Sequence, residues 1–196
     1  MKLGNAALVR SGLVLARKQA KEPTGYRYSL LNLKSIHAGG FIDTTLCDVF
    51  DSVESLNPEY LTHKGDIVIR LTIPYTAVLI TENTEGYVIP SSFVVVRTDR
   101  SVLLPEYLFW LLNSQKVKQE IYESAVSNML GAVKPRYFAE YELEDISLPQ
   151  QRILAELNRL ARRETQLLAQ LASEKEKCYD LVINKVFAEI KRGNEK

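Results

Sequence analysis

QQRILAELNRLARRETQLLAQLASEKEKCYDLV, residues 150–182, follows directly on the break Leu148-Pro149 and repeats apolar residues at heptad spacing. Alternate steps of four and three from Ile153 land on Leu157, Leu160, Glu164, Leu167, Leu171, Glu174, Cys178 and Leu181, so only two of the nine positions are charged. A second row, Leu154, Ala161, Leu168, Ala172, Val182, Val186 and Ile190, widens the stripe, with one side expected to meet a partner and the other a globular domain. No Gly or Pro interrupts 150–192, which at about 1.5 Å per residue predicts a helix of roughly 60 Å, too long for a compact domain's interior. Ile153, Leu157, Leu160, Leu167, Leu171, Cys178 and Leu181 are therefore the candidate dimerisation seam.

The remaining length suffices for one domain with a good core, and a composition 46% hydrophobic and 25% charged is that of a folded soluble protein. The 25 basic and 24 acidic residues nearly cancel, which argues against a generic polyanion binder, but they are segregated. Residues 1–40 hold seven Lys or Arg and one acid, 41–149 eight and sixteen, and 150–196 ten and seven. A basic amino-terminal segment suits a local anionic partner such as DNA, because clustered cations neutralise phosphates efficiently; ordinary solvated charge is the plain alternative. Cys47 and Cys178 lack zinc or disulfide spacing and read as buried thiols in a reducing cytoplasm. The first apolar run is broken by Arg10, and nothing approaches the roughly 18 apolar residues of a membrane span, so a cytoplasmic protein with no membrane association is expected.

Along the chain, Leu3 to Arg10 reads as a short helix and Arg17 to Pro23 as a basic loop. Tyr26 to Leu33 alternates as a strand, and Ala38-Gly39-Gly40 turns the chain toward Phe41. Ile67 to Ile69 and Thr76 to Thr81 read as paired strands, and Tyr87 to Pro90 and Phe93 to Val96 as strands around Ser91-Ser92, with Pro90 at an edge or bulge. Leu104 to Tyr122 returns to helical spacing with Pro105 in the first turn. The expected class is α+β: a mixed α/β domain over 1–149, a single long coiled-coil helix over 150–192, and a tail over 193–196.

Lys64-Gly65-Asp66-Ile67-Val68-Ile69, the run Val88 to Arg97, Leu104-Pro105-Glu106-Tyr107-Leu108 through Ser114, and Ile146-Ser147-Leu148-Pro149 before Gln150 to Ile153 occur in that order. Together they resemble the specificity subunit of type I restriction-modification systems, in which a target recognition domain precedes a spacer helix. Leu3-Gly4-Asn5 with Arg10-Ser11-Gly12 resembles its amino-terminal segment, although an acid is more usual at Asn5. The usual member carries two recognition domains and two helical regions; this chain resembles a half-length form. The resemblance implies a homodimer through an antiparallel coiled coil, reading a bipartite inverted repeat in double-stranded DNA. It further implies a methyltransferase subunit that binds S-adenosylmethionine and flips the target adenine, with a restriction or translocase subunit as an additional partner. The chain itself is expected to hold no cofactor.

Candidate DNA-binding residues are Arg17, Lys18, Lys21 and Arg27 in the basic segment, Arg70 after the first strand of the Gly65-Asp66 motif, and Ser127, Asn128, Lys134 and Arg136 before a last strand. Ser127-Asn128 stands where the family commonly has a polar loop near DNA. The helix face with Arg152, Glu156, Arg159, Arg162 and Arg163 is a candidate methyltransferase dock, or a solvated face.

Catalysis is not expected. Asn57-Pro58-Glu59-Tyr60 only superficially resembles the Asn-Pro-Pro-Tyr motif of amino-methyltransferases, since Glu59 replaces a proline and no Gly-rich cofactor loop precedes it. His37 and His63 lack metal-ligand spacing and read as loop residues, and the acids Glu140, Glu142, Glu144 and Asp145 alternate like a solvent-facing strand. Trp110, Tyr26, Tyr28, Tyr75 and Tyr87 read as core rather than base-stacking aromatics. A dimeric scaffold without sequence-specific DNA binding, or a specificity partner of a fused type IIB-like enzyme, are the alternatives.

Overall fold

The computed structural model describes residues 1–126 and 132–193. Strands β1 (Ala7–Ser11), β2 (Tyr26–Leu30), β3 (Ile36–His37), β4 (Phe41–Ile42), β5 (Asp48–Ser52), β6 (Ile67–Arg70), β7 (Ala77–Leu79) and β8 (Phe93–Thr98) precede the helices. These are α1 (Pro105–Asn113), α2 (Gln115–Val126), α3 (Pro135–Glu140) and α4 (Leu148–Gly193). β1, β8, β6 and β7 form an antiparallel sheet in that order, while β2 pairs with β5 and β3 with β4. The chain is thus the expected α+β fold with a long carboxyl-terminal helix. It divides into two compact units, Met1–Ala155 and Glu156 onward.

The uninterrupted β-branched runs of β6 and β8 follow from burial on both faces of the sheet. Ile67, Ile69, Val94 and Val96 pack among residues of α1, α2 and α3 such as Leu108, Leu112, Ile121 and Phe138. Val68, Phe93 and Val95 join Leu31, Ile36 and Ile89 in a second core on the opposite side. A third cluster, with Leu13, Leu30, Phe50 and Val88, carries the β2–β5 ribbon.

Four local readings of the sequence are corrected. Leu3 to Arg10 is a 3-10 turn at Leu3–Asn5 followed by β1, because β8 supplies the strand partner that outweighs local helical spacing. Residues 87–90 make bridges rather than a ladder: Val88 serves Ser29 and Leu31, and Pro90 has no N–H to donate. The helical stretch from Leu104 is two helices, broken where Ser114 turns extended and its Oγ accepts from Val117 N–H at 3.3 Å. Likewise, among the described residues no strand follows Arg136. Lys134 and Arg136 sit at the start of α3, and beyond it Glu142 forms an isolated bridge to Lys2.

The first turns of α4 belong to the first unit, where Leu154 and Ala155 pack against the helical core. Gln151, buried at 3% exposure, satisfies three backbone groups there: its Oε1 accepts from Leu104 N–H at 2.9 Å, and its Nε2 donates to Val102 and Ile146 carbonyls at 3.0 and 2.9 Å. Gln151→Leu strands these three groups, and at about 1 kcal/mol each, the low end for groups only partly buried, the expected loss is about 3 kcal/mol. Thermal unfolding of the variant should show a midpoint lowered by roughly 6–12 °C; an unchanged midpoint would refute the clasp.

From Arg163 to Arg192 every residue of α4 is exposed. Ile153 (60%), Leu157, Leu160, Leu167, Leu171 and Leu181 (72%) all lie in solvent, with Leu168, Val182, Val186 and Ile190 of the second row. Tyr179, Ile183 and Phe187 add to the stripe and lie outside both heptad rows. Cys47 is half-buried, and burial pushes its thiol up; Cys178 is exposed, which corrects its reading as a buried thiol. Among the described residues no helix is long and apolar enough to cross a membrane.

Candidate nucleic-acid interface

The predicted cations fall into two groups. Arg17, Lys18 and Lys21 lie on and after the 3-10 turn Leu15–Arg17, which is stitched to β5 by Ala20 N–H to the Asp51 carbonyl and Val53 N–H to the Lys18 carbonyl, both at 2.9 Å. Arg27 on β2 stands opposite the same Asp51. Backbone pairing therefore gathers all four around one end of the β2–β5 ribbon. Arg17, Lys21 and Arg27 are exposed, whereas Lys18 pairs with Glu54.

Arg70 ends β6 in the second group. Its Nη1 donates to the Leu33 carbonyl at 3.3 Å and its Nε to Thr72 Oγ1 at 3.1 Å, which draws in the segment that bears Lys34. Val133 N–H donates to the Leu71 carbonyl at 3.0 Å, which places exposed Lys134 beside the same turn. Arg136 instead points its Nε at Glu140, 2.7 Å away on α3. Ser127 and Asn128 lie outside the described residues. Of the aromatics weighed for base stacking, Tyr75 is buried, Tyr28 and Tyr87 pack against cores, Trp110 packs beside Tyr107, and Tyr26 is exposed.

An ion-pair network escaped the sequence reading. Asp66, 1% exposed, accepts from Arg97 Nε and Nη2 at 2.7 Å each and from His63 N–H at 2.9 Å. The Asp66 bond raises the Arg97 guanidinium further above its usual value, and His63 Nδ1 touches the same Arg97 Nη2. Arg10 stands close by: burial first, and then repulsion from Arg97, lowers its guanidinium, while Glu59 pairs with its Nη1 at 3.1 Å. A cleft of about 300 Å³ opens beside the network, lined by Lys64, Gly65, Arg97 and Arg100 among others. Its cations are matched by acids, Lys64 by Glu82, Arg97 by Asp66 and Arg100 by Glu106, so it offers no net charge to an anion. The sequence signal for the network was a charge at one end of each strand motif, Asp66 before β6 and Arg97 near the end of β8.

No family model and no curated protein matches the chain. Solved structures do. A chain of a type I R-M system, from a structure of its complex assembly and conformational transition, aligns with TM-score 0.64 and 18% identity over 97% of this chain. The HsdS subunit from Thermoanaerobacter tengcongensis aligns with TM-score 0.66 and 17% identity over 93%. This chain has the fold of a type I specificity subunit. The S subunit from M. genitalium aligns more loosely, with TM-score 0.55 and 14% identity over 88%. The chain spans 48%, 46% and 41% of these three chains, about half a specificity subunit in each case. The alignment takes in both the sheet domain and the long helix, the two parts of the specificity-subunit fold on which the cationic groups and the apolar stripe are mounted.

Proposed function

We propose that this chain is a DNA sequence-recognition subunit of a type I restriction-modification complex. The observation that carries the reading is the shared fold over 97% of the chain, domain and helix together. The first unit acts as a target recognition domain, in which cations on the phosphates fix register and side chains at base edges fix sequence. The helix, about 69 Å long for 46 residues, acts as spacer and joint. Two copies pair antiparallel through Ile153, Leu157, Leu160, Leu167, Leu171, Cys178 and Leu181, so that two identical domains read an inverted repeat across a fixed gap. Chemistry resides in a methyltransferase subunit docked along the face with Arg152, Glu156, Arg159, Arg162 and Arg163, and a restriction or translocase subunit adds cleavage.

The test is to co-express the chain with the methyltransferase of its own operon, weigh the complex by light scattering and map methylated adenines in the host DNA. Two copies of each subunit and a gapped palindromic methylation motif are expected. A monomer that ignores the methyltransferase and yields no motif would refute the assignment.

Arg17 and Lys21, exposed at the end of the β2–β5 ribbon, are assigned to phosphates of the DNA backbone. Arg17→Ala with Lys21→Ala should weaken DNA binding equally across sequences and reduce the slope of log affinity against log salt by about two, one for each phosphate no longer neutralised. Binding titrations at several salt concentrations measure this; an unchanged slope removes these residues from the interface.

A further inference from the structure

The β3–β4 hairpin is built in two layers. Its inner pair, Ile36 opposite Ile42, is held in the second core, with Ile36 only 6% exposed. Its outer pair, His37 opposite Phe41, stands in solvent with the rings stacked at 4.3 Å and 21°, and Phe41 is half exposed. Exposure of one aromatic pair is ordinary in itself; what sets this pair apart is its fixed geometry. The tip is also rigid: Gly40 N–H donates to the His37 carbonyl at 2.8 Å, and Gly40 takes φ +74°, which favours glycine. At the root, buried Ser35 exchanges bonds with Asn32, while Asn32 Nδ2 donates to the Leu46 carbonyl and to Asp48 Oδ2, both at 2.8 Å.

His37 has a defined donor. Gly39 N–H donates to its Nδ1 at 2.9 Å, so the neutral ring carries its proton on Nε2, the atom away from the turn. The cation Arg70 comes to the root of the same hairpin through its bond to the Leu33 carbonyl, next to Lys34. A rigid two-stranded ribbon with a fixed N–H donor and an apolar ring at its tip and cations at its base has the dimensions and chemistry for the major groove. Every base pair there offers acceptors such as purine N7 or thymine O4, and thymine adds a methyl group.

We propose that the β3–β4 hairpin enters the DNA major groove, with His37 Nε2–H donating to a base-edge acceptor and Phe41 lying on a thymine methyl at an adjacent position. This rests on the recognition function proposed above and assigns base readout to two residues. Lys34 and Arg70 then hold the flanking phosphates, and Phe41 stacking on His37 holds the donor in its plane.

The experiment uses the chain co-purified with its methyltransferase, comparing wild type with His37→Ala, Phe41→Ala and Phe41→Leu in methylation-motif sequencing and DNA titration. His37→Ala should make one motif position degenerate, Phe41→Ala should lose about tenfold in affinity for thymine at its neighbour, and Phe41→Leu should retain that preference. Thermal midpoint and methyltransferase capture should stay at wild-type values, because both side chains are exposed. If the variants keep the wild-type motif and affinity, or lose affinity equally for all sequences, the hairpin does not read bases and this inference falls alone. A wild-type complex with no motif would remove the recognition function itself and the hairpin's role with it.

Discussion

Leu160→Lys combined with Leu167→Lys turns the proposed dimer into monomers at every practical concentration. Both leucines are about half exposed in the single chain and belong to none of the core clusters, so the change costs the monomer little. In an antiparallel pair the same four side chains would be buried. Their forfeited burial alone amounts to about 6 kcal/mol at roughly 1.5 kcal/mol each, before the cost of placing four ammonium groups in an apolar seam is added. At 1.4 kcal/mol per tenfold this is at least about a 10⁴-fold weaker association, enough to carry a nanomolar dimer past 10 μM. Light scattering should report half the wild-type mass, with the thermal midpoint of the first unit unchanged. A double variant that remains dimeric would place the pairing on another surface. The nearest such surface in sequence is the flank carrying Tyr179, Ile183 and Phe187, which are exposed but stand off the heptad rows.

The helix was legible because its signal is one-dimensional: heptad spacing, absence of Gly and Pro and a Leu-Pro entry are all read within one stretch. The same holds for β6 and β8, where β-branched runs follow directly from burial on both faces. What escaped depends on distance along the chain. Ala7–Ser11 has no strong local preference and becomes a strand because β8, nearly 90 residues away, pairs with it. The hairpin of Ile36–His37 and Phe41–Ile42 is too short for alternation to show. Its significance comes from what the tertiary structure buries, Ile36, and leaves out, Phe41. The candidate interface divides in the same way. The charge excess of residues 1–40 pointed to Arg17, Lys21 and Arg27, but Arg70 meets the segment of Lys34 through a side-chain bond to a carbonyl 37 residues away, and Lys134 is set beside the turn after Arg70 by a backbone bond spanning 62 residues. His63 and His37, alike as lone loop histidines in the sequence, are distinguished only by their neighbours, an ion pair for one and an exposed ring for the other.

Asp66→Ala should be the most destabilising single substitution in the first unit. The carboxylate is 1% exposed, holds Arg97 through two bonds of 2.7 Å, and takes the backbone N–H of His63. Its removal leaves a half-buried guanidinium with no carboxylate beside a second one, Arg10, whose Nε and Nη2 are already buried without acceptors. Breaking a buried pair from one side costs about 3–5 kcal/mol, a large share of the 5–15 kcal/mol that holds a domain of this size together. The expected fall in thermal midpoint is roughly 6–20 °C at 2–4 °C per kcal/mol. The cost should come from the stranded charge and not from the missing bonds, and a second variant separates the two. Asp66→Leu with Arg97→Leu removes both charges and fills the site with apolar volume, so it should recover most of the loss, because paired replacement of a buried ion pair is often neutral. Denaturant titrations of the two variants give the answer. Equal losses would mean that the hydrogen bond to His63 and the geometry of the Gly65 turn, rather than charge, are what Asp66 maintains between β6 and β8.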